Sequence, residues 1–190
     1  LLPEEAAIIR APVVVTIVSQ NSSFANLAVD ILSRAKPCTT RPPIRIYKGS
    51  IESYIPRQER TNIVYVCPSS SLGFMNNGVN KALSSSIFPG IESVWESMLQ
   101  YWGKPNLVER RYLPIGSSMI IPGLPLSVGA AKGIGAAQAN KRSHRFLCMA
   151  PIMLLPQNIE ETQNCYYATM ASMSNVVRHH KFLNVEVIFT

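Results

Sequence analysis

The sequence predicts an α/β protein, a three-layer α/β/α sandwich around a mixed, mostly parallel sheet. Short β-branched runs alternate along the chain with segments in which apolar residues recur every three or four positions, the pattern of strands separated by helices. A chain of 190 residues can bury one sizeable core. Its 47% hydrophobic and 15% charged residues are typical of a globular domain.

The predicted order of elements is strand, helix, strand, strand, helix, helix, strand, strand, helix, strand. Residues 13–18 form a β-branched run that predicts a buried strand, and residues 24–33 follow with helical spacing and Asn21 or Ser22 as the cap. Residues 63–67 predict another buried strand. Pro68 should end that strand, because proline lacks the backbone donor that a ladder needs.

Two later segments have the spacing of helices. Between Pro89 and Trp102 an apolar stripe that includes both tryptophans predicts a helix packed on the core. A last helix should bury a face made of Cys165, Tyr166, Thr169, Met170, Met173, Val176 and Val177. We expect residues 1–190 to form a single domain, in which residues 123–144, rich in small and polar residues, are a flexible insertion.

Charge and cysteine usage narrow the class of function. The net charge is +7, but the basic residues occur singly or in pairs, without a run of five or a basic helix face carrying aromatics, so no specific nucleic-acid motif is predicted. The four cysteines show no C-x-x-C spacing and no histidine cluster, so we expect no metal site. No cofactor is predicted.

Location is predicted from the same features. Cysteines without a pairing pattern are consistent with a reducing compartment. No apolar segment approaches the roughly 20 residues of a membrane span, and the first residues lack the features of a signal peptide. We therefore expect no membrane association and an intracellular protein, cytoplasmic or nuclear.

The stretch 62–83 is the most informative functional signal, because an apolar run leads into a loop rich in serine and glycine and then into a helix. Small residues let backbone N–H groups approach a ligand closely. A helix N-terminus favours an anion. The pattern predicts a site for a phosphorylated ligand, while many such turns in α/β proteins bind nothing.

Residues 68–83, PSSSLGFMNNGVNKAL, resemble the first ligand loop of macro domains, which bind ADP-ribose and related metabolites. Three further segments resemble motifs of this family in the family's order: residues 44–51, 113–122 and 146–156. The last of them is similar to a branch found in fungi and phages. The resemblance runs from residue 44 onward, with residues 13–34 as an extra strand and helix.

The resemblance implies the macro-domain fold and a binding site for an ADP-ribose-like nucleotide. The residues that it assigns to the site are Ser50, Ile51, Ser69, Ser70, Ser71, Gly73, Phe74, Met75, Asn76, Asn77, Gly78 and Val79. It identifies no protein partner.

Several positions depart from the family's pattern. Ser50 replaces the aspartate that contacts the adenine amino group, and Ser70 replaces the asparagine that helps to place the attacking water in hydrolytic members. Asn77 replaces a glycine, and Asn80 replaces an aspartate. Ser70 and Asn80 are the catalytic candidates that remain. The family's diphosphate loop would follow residues 185–189, where this sequence stops.

Three functions are left open. The chain is a reader of an ADP-ribose-like nucleotide, a hydrolase of ADP-ribose phosphate or ADP-ribosyl groups, or a non-binding scaffold with a decayed pocket. The missing asparagine and aspartates count against the hydrolase. His144, His179 and His180 lie near the ends of predicted elements, and we interpret them as structural.

Overall fold

The computed structural model describes residues 13–35, 42–56, 62–102, 104–105, 111–123, 144–155, 157–179 and 185–190. The elements, in chain order, are β1 (Val14–Ser19), α1 (Ser22–Arg34), β2 (Ile44–Lys48), a 3-10 turn (Ile51–Ser53), β3 (Asn62–Ser70), α2 (Gly78–Ala82) followed by a π-helical turn (Leu83–Ile87), α3 (Ile91–Trp102), β4 (Lys104–Pro105), β5 (Arg111–Tyr112), β6 (Met119–Pro122), β7 (His144–Met153), α4 (Asn164–Arg178) and β8 (Val185–Phe189). The predicted alternation is confirmed. The two-residue strands β4 and β5, which pair with each other, were not predicted.

Six strands form one sheet in the order β2-β1-β8-β3-β7-β6. The pairs among β2, β1, β8, β3 and β7 are all parallel, and β6 is antiparallel to β7. The predicted class, an α/β protein with a mixed, mostly parallel sheet, is therefore confirmed. Because β3 lies between β8 and β7, its carboxyl end is at the middle of the sheet edge where ligands of such sheets bind.

Alternate residues of β3 enter two separate cores, one on each face of the sheet. Ile63, Tyr65 and Cys67 pack on the first face with residues of α2 and α3. Val64 and Val66 pack on the second face with residues of α4. Since successive side chains of a strand point to opposite faces, a strand buried on both sides is continuously apolar, and this is why residues 62–67 are all buried.

The stripe predicted for α3 is confirmed where its side chains are described. Ile91, Trp95 and Leu99 are buried in the first-face core, and Val94 packs against them. The side chain of Trp102 lies outside the described residues.

The inner face predicted for α4 is wrong at most of its positions. Tyr166, Met170 and Val177 are 61%, 53% and 69% exposed. The buried residues of this helix are Ala168, Ser172 and Val176. Apolar residues lie on both sides of α4, so periodicity did not single out one face. Helix α4 contacts the sheet through these small side chains, so its backbone approaches the sheet closely.

Pro68 does not end β3, contrary to the prediction. The strand continues to Ser70, with Pro68 opposite Ala150 of β7. Strand β8 pairs with β3 only as far as Val66. From Cys67 to Ser70, the only described neighbour of β3 is β7. A strand with one neighbour tolerates proline as an edge strand does, because the missing N–H is not needed on the other side.

The extra strand and helix expected in residues 13–34 are present as β1 and α1. Asn21 caps α1 by accepting a hydrogen bond of 3.1 Å from the amide of Phe24. The insertion expected in residues 123–144 lies outside the described residues, except that Gly123 donates to the carbonyl of Arg145 and β7 begins at His144. Within the described part of the chain, no helix is long and apolar enough to cross a membrane.

Candidate functional site

The predicted site lies at the carboxyl end of β3, where the loop 71–77 connects the strand to α2. The 3-10 turn 51–53 contacts both α2 and the π-helical turn that follows it. The fold therefore brings the turn 51–53 next to residues 78–87, which lie on the other side of β3 in the sequence. We call the loop 71–77 with the first residue of α2 the β3 loop.

Ser50 and Ile51 have different roles in this arrangement. Ser50 is the N-cap of the 3-10 turn, and its Oγ accepts a hydrogen bond of 3.3 Å from the amide of Ser53. Ile51 is buried in the first-face core. The Ser50 hydroxyl also donates to Oγ of Ser53 at 3.3 Å, so both of its hydrogen-bonding roles are used within the turn, while Ile51 anchors the turn in the core.

Three consecutive serines lie buried where β3 enters the β3 loop. The Oγ of Ser70 accepts a hydrogen bond of 3.2 Å from the amide of Phe74. The hydroxyls of Ser69 and Ser71 are buried without a hydrogen-bond partner among the described residues. A buried hydroxyl without a partner costs about 1 to 3 kcal/mol. Because Ser69 and Ser71 are each only 1% exposed, a ligand would reach these hydroxyls only if the β3 loop moved.

Both backbone polar groups of Ser71 form hydrogen bonds within the protein. Its amide donates to the carbonyl of Met153 at 2.7 Å, and its carbonyl accepts from the amide of Leu113 at 2.9 Å. The start of the β3 loop is therefore fixed to neighbouring segments of the chain.

Gly73 is required by its packing as well as by its backbone conformation. Its φ is +75°, a left-handed value that other residues adopt at a cost. A Cβ placed on Gly73 would lie 1.4 Å from Nε1 of Trp95. Trp95 is 2% exposed and its Nε1 has no partner among the described residues. The indole ring of Trp95 therefore packs directly against Gly73 and holds this part of the β3 loop in place.

The middle of the β3 loop alternates between core and solvent. Phe74 is 41% exposed, whereas Met75 is buried in the first-face core. Asn76, Asn77 and Gly78 are exposed. Gly78 has a φ of +53°, and a Cβ built on it would meet no heavy atom within 4 Å. The backbone from Asn76 to Gly78 is therefore open to a ligand.

The helix that follows contributes less than the sequence suggested. Helix α2 has five residues before the π-helical turn begins, and Asn77 makes no side-chain cap bond. A helix dipole grows with the number of aligned peptide units, so a helix this short gives a small positive field. Val79 packs against the first-face core.

Asn80 connects the strand to the β3 loop. Its Nδ2 donates to the carbonyl of Phe74 at 3.2 Å, and its Oδ1 accepts from Sγ of Cys67 at 2.7 Å. Burial raises the pKa of the Cys67 thiol well above its usual range, so the thiol keeps the proton that it donates. Both ends of the Asn80 amide are thus occupied within the protein.

The catalytic candidates have structural partners instead of acid–base partners. Ser70 Oγ bonds a backbone amide, and Asn80 bonds a carbonyl and a thiol. In the hydrogen bonds of the described residues, neither side chain meets a carboxylate or an imidazole, the groups that activate a hydroxyl or a water. Their geometry is suited to holding the β3 loop in shape.

Sequence reasoning missed one polar group, Glu186. It lies in β8, is fully buried, and accepts hydrogen bonds from the hydroxyls of Thr16 and Tyr54. A signal was present, because a carboxylate interrupts the apolar run 185–189 of a strand that is buried on both faces. Within the described ranges, no group of three or more His, Cys, Asp or Glu side chains is arranged to hold a metal ion.

The chain has little similarity to known proteins. No protein-family model matches the chain, and no curated protein matches it significantly. Among solved structures, a macrodomain mutant from Oceanobacillus iheyensis is similar over 70% of this chain and 79% of its own, with 13% sequence identity and a TM-score of 0.35. A likeness this slight carries no argument about ligand or activity, and the α/β architecture rests on the strand order of the chain itself.

Proposed function

We propose that the chain binds a nucleotide metabolite of the ADP-ribose type at the β3 loop, with the turn at Ser50 beside it. The observation that carries the proposal is the meeting of the turn 51–53 with α2 and the π-helical turn at the carboxyl end of β3. The sequence resemblance to macro domains assigns the first residue of this turn, Ile51, and the first two residues of α2, Gly78 and Val79, to one nucleotide site. In a mostly parallel sheet, this edge is where ligands bind.

The polar groups of the β3 loop support a binding role. Asn76, Asn77 and Gly78 are exposed, so this part of the loop lies where a ligand can approach it. Backbone N–H groups of a loop are usual contacts of phosphate oxygens. The positive net charge of +7 favours the approach of an anionic nucleotide.

Hydrolysis is not part of the proposal. Ser70 and Asn80 are engaged by the amide and the carbonyl of Phe74. A side chain that must keep a structural hydrogen bond is poorly placed to direct an attacking water. The same bonds favour the alternative of a non-binding scaffold, because they use polar groups that a ligand would otherwise meet. A binding measurement decides between reader and scaffold.

The experiment is isothermal titration of the 190-residue chain with ADP-ribose, with AMP as a control for simple phosphate affinity. We expect saturable binding of ADP-ribose that is clearly tighter than that of AMP. A folded chain that gives no heat with ADP-ribose would contradict the proposal and support the scaffold.

A matched pair of variants tests the location of the site. Gly78→Ala and Gly116→Ala both place a Cβ on a glycine of positive φ, +53° and +80°. The Gly78 Cβ would project into the open space of the β3 loop, whereas the Gly116 Cβ would lie 3.6 Å from Cβ of Tyr167. We expect Gly78→Ala to weaken ADP-ribose binding and Gly116→Ala to leave it unchanged. Equal effects would place the ligand elsewhere.

A further inference from the structure

The helices on the two faces of the sheet have different outer surfaces. On the first face, α3 exposes mostly polar side chains, as a helix in contact with water does: Glu92, Ser93, Glu96, Ser97 and Gln100. On the second face, α1 and α4 expose large apolar side chains instead. Of the fourteen exposed large apolar side chains in the described part of the chain, eight belong to these two helices: Phe24, Leu27, Val29, Ile31, Tyr166, Tyr167, Met170 and Val177.

Both helices cover the second face of the sheet. Helix α4 packs on the second-face core. The position of α1 follows from Lys48 of β2, which is in register with Ser19, while Val15 is in register with Val187 of the second-face core. Residues four apart on a strand share a face, so Lys48 is on the second face, and its Nζ donates to Oδ1 of Asn26 in α1 at 2.6 Å. Because each helix connects two parallel strands, α1 and α4 run in the same direction.

The exposed apolar side chains of α4 form a stripe along the helix. Tyr166, Met170 and Val177 are all more than half exposed. Met173, between them, packs partly against the second-face core. These positions follow one another at intervals of four, three and four residues, the spacing of the contact seam in paired helices. Arg178, the last residue of α4, is its only charged residue, so no charge interrupts the stripe.

Helix α1 has a similar outer surface. Phe24, Leu27 and Ile31 are 49% to 58% exposed, and their spacing of three and four residues places them on one side of the helix. The two charged residues of α1, Asp30 and Arg34, pair with each other at 2.8 Å. Aromatic residues and methionine with few charges are the composition of an interface core. We call the outer surface of α1 and α4 together the helix layer.

The charges at the two ends of α4 fit a second copy of the helix layer. Glu160 and Glu161 precede the helix, and Arg178 ends it. When α4 packs antiparallel on α4 of a second copy, the acidic start of each helix lies beside the basic end of the other. Since α1 and α4 run in the same direction, one two-fold axis across both also sets α1 antiparallel on α1 of the second copy. The helix layer is therefore complementary to itself, as an isologous interface requires.

We infer that the helix layer is the interface of a reversible homodimer, in which α4 of each copy packs antiparallel on α4 of the other. The inference is independent of the proposed nucleotide binding, because the β3 loop takes no part in the interface.

The size of the helix layer sets the expected strength of the dimer. Its helices of 13 and 15 residues are each about 20 Å long and about 10 Å wide, so two copies bury at least about 800 Å² of flat area. The accessible area is larger because side chains project from this surface, and specific interfaces begin near roughly 1,000 Å². The net charge of +7 on each copy adds a repulsion that salt screens. We therefore expect a dimer that dissociates on dilution.

The experiment is sedimentation velocity of the full chain, from micromolar to half-millimolar concentration, at physiological salt. We expect the molar mass to double with concentration and then to remain constant, because a two-fold interface closes. A chain that stays monomeric throughout would overturn the inference and leave the helix layer to a different protein. A mass that rises beyond the dimer without a plateau would also overturn it, because it would show open association.

A matched pair of variants tests the location of the interface. Tyr166→Glu places a carboxylate within the apolar seam, where it has no partner and is costly to bury. Tyr101→Glu makes the same change on α3, where Tyr101 is 84% exposed. We expect Tyr166→Glu to weaken dimerisation at least tenfold and Tyr101→Glu to leave it unchanged, with circular dichroism confirming that both variants fold. Equal effects of the two variants would overturn the inference.

A charge swap tests the antiparallel arrangement. Arg178→Glu brings like charges together at both ends of the paired helices, and we expect it to weaken dimerisation. Adding Glu160→Lys and Glu161→Lys to the same chain should restore it, because the opposite signs face each other again. All three positions are exposed, so the variants should fold. A swap that does not restore the dimer would overturn the inference of an antiparallel pair.

Discussion

Replacing Gly73 by alanine should destabilise the fold far more than the same change at a comparable glycine. The added Cβ would lie 1.4, 2.4 and 2.5 Å from Nε1, Cε2 and Cδ1 of Trp95. Carbon atoms pack at about 3.5 to 4.0 Å, so the indole or the loop must move by roughly 2 Å. Trp95 is 2% exposed and belongs to the first-face core, where packed side chains resist such a movement.

The magnitude follows from two costs. A left-handed backbone costs a residue with a Cβ about 1 to 2 kcal/mol, and overpacking a well-filled core costs about 1 to 3 kcal/mol. We therefore expect Gly73→Ala to lower the free energy of unfolding by about 2 to 5 kcal/mol. That is a large part of the total stability of a domain, about 5 to 15 kcal/mol.

Urea unfolding followed by circular dichroism measures the effect, with Gly116→Ala as the control. At Gly116 the φ is +80° and the added Cβ would make an ordinary contact of 3.6 Å, so only the backbone cost of about 1 to 2 kcal/mol applies. A Trp95→Phe background should reduce the penalty at Gly73, because phenylalanine has a smaller ring system and lacks Nε1, the atom that would lie 1.4 Å from the added Cβ. Equal losses for both glycine variants would refute the packing of Trp95 beneath the loop.

Three further predictions concern caps, thiols and pH. Ser50→Ala removes the cap of the 3-10 turn and should lower the free energy of unfolding by about 0.5 to 2 kcal/mol, measured by urea unfolding. Ser50→Asp keeps a good cap and should tighten ADP-ribose binding by about 1 kcal/mol, the worth of one hydrogen bond, measured by titration calorimetry. No tightening would contradict the alignment of this turn with the family. A thiol reagent should label exposed Cys165 in the native protein and buried Cys67 only on unfolding, which mass spectrometry of peptides checks; native labelling of Cys67 would contradict its burial. Burial raises the pKa of Cys148 to about 11 and that of Tyr54 to about 12, so the unfolded chain loses these protons first and the free energy of unfolding should fall as pH rises from about 9. Urea unfolding at pH 8 and pH 10.5 tests the sign, and equal stability at the two values would contradict it.

The alternation of strands and helices was predictable because it is a local property. Continuous β-branched runs such as 14–18 and the stripe of α3 depend on neighbours within a few positions. The charged residue in the run 185–189 was also visible in the sequence. Its partners were not, because Thr16 and Tyr54 are separated from it by 170 and 132 positions.

The errors share one physical cause. Pro68 remains within β3 because the strand continues alongside β7, with Pro68 opposite Ala150, and the position of this neighbouring strand cannot be read from the segment itself. The inner face of α4 follows the small residues Ala168 and Ser172, because the sheet it meets decides which side can approach. Both outcomes depend on a surface formed by distant residues.

The candidate site was likewise only partly predictable from the sequence. The sequence alone identified the β3 loop, because glycine, serine and asparagine have backbone and hydrogen-bonding properties that act locally. Only the tertiary structure decided that Asn80 is bound to Cys67 and Phe74 and that Gly73 rests on Trp95. It also decided that, within the described ranges, the hydroxyls of Ser69 and Ser71 have no hydrogen-bond partner. A side chain's chemistry is set by its residue type, but its availability to a ligand is set by what the rest of the chain places around it.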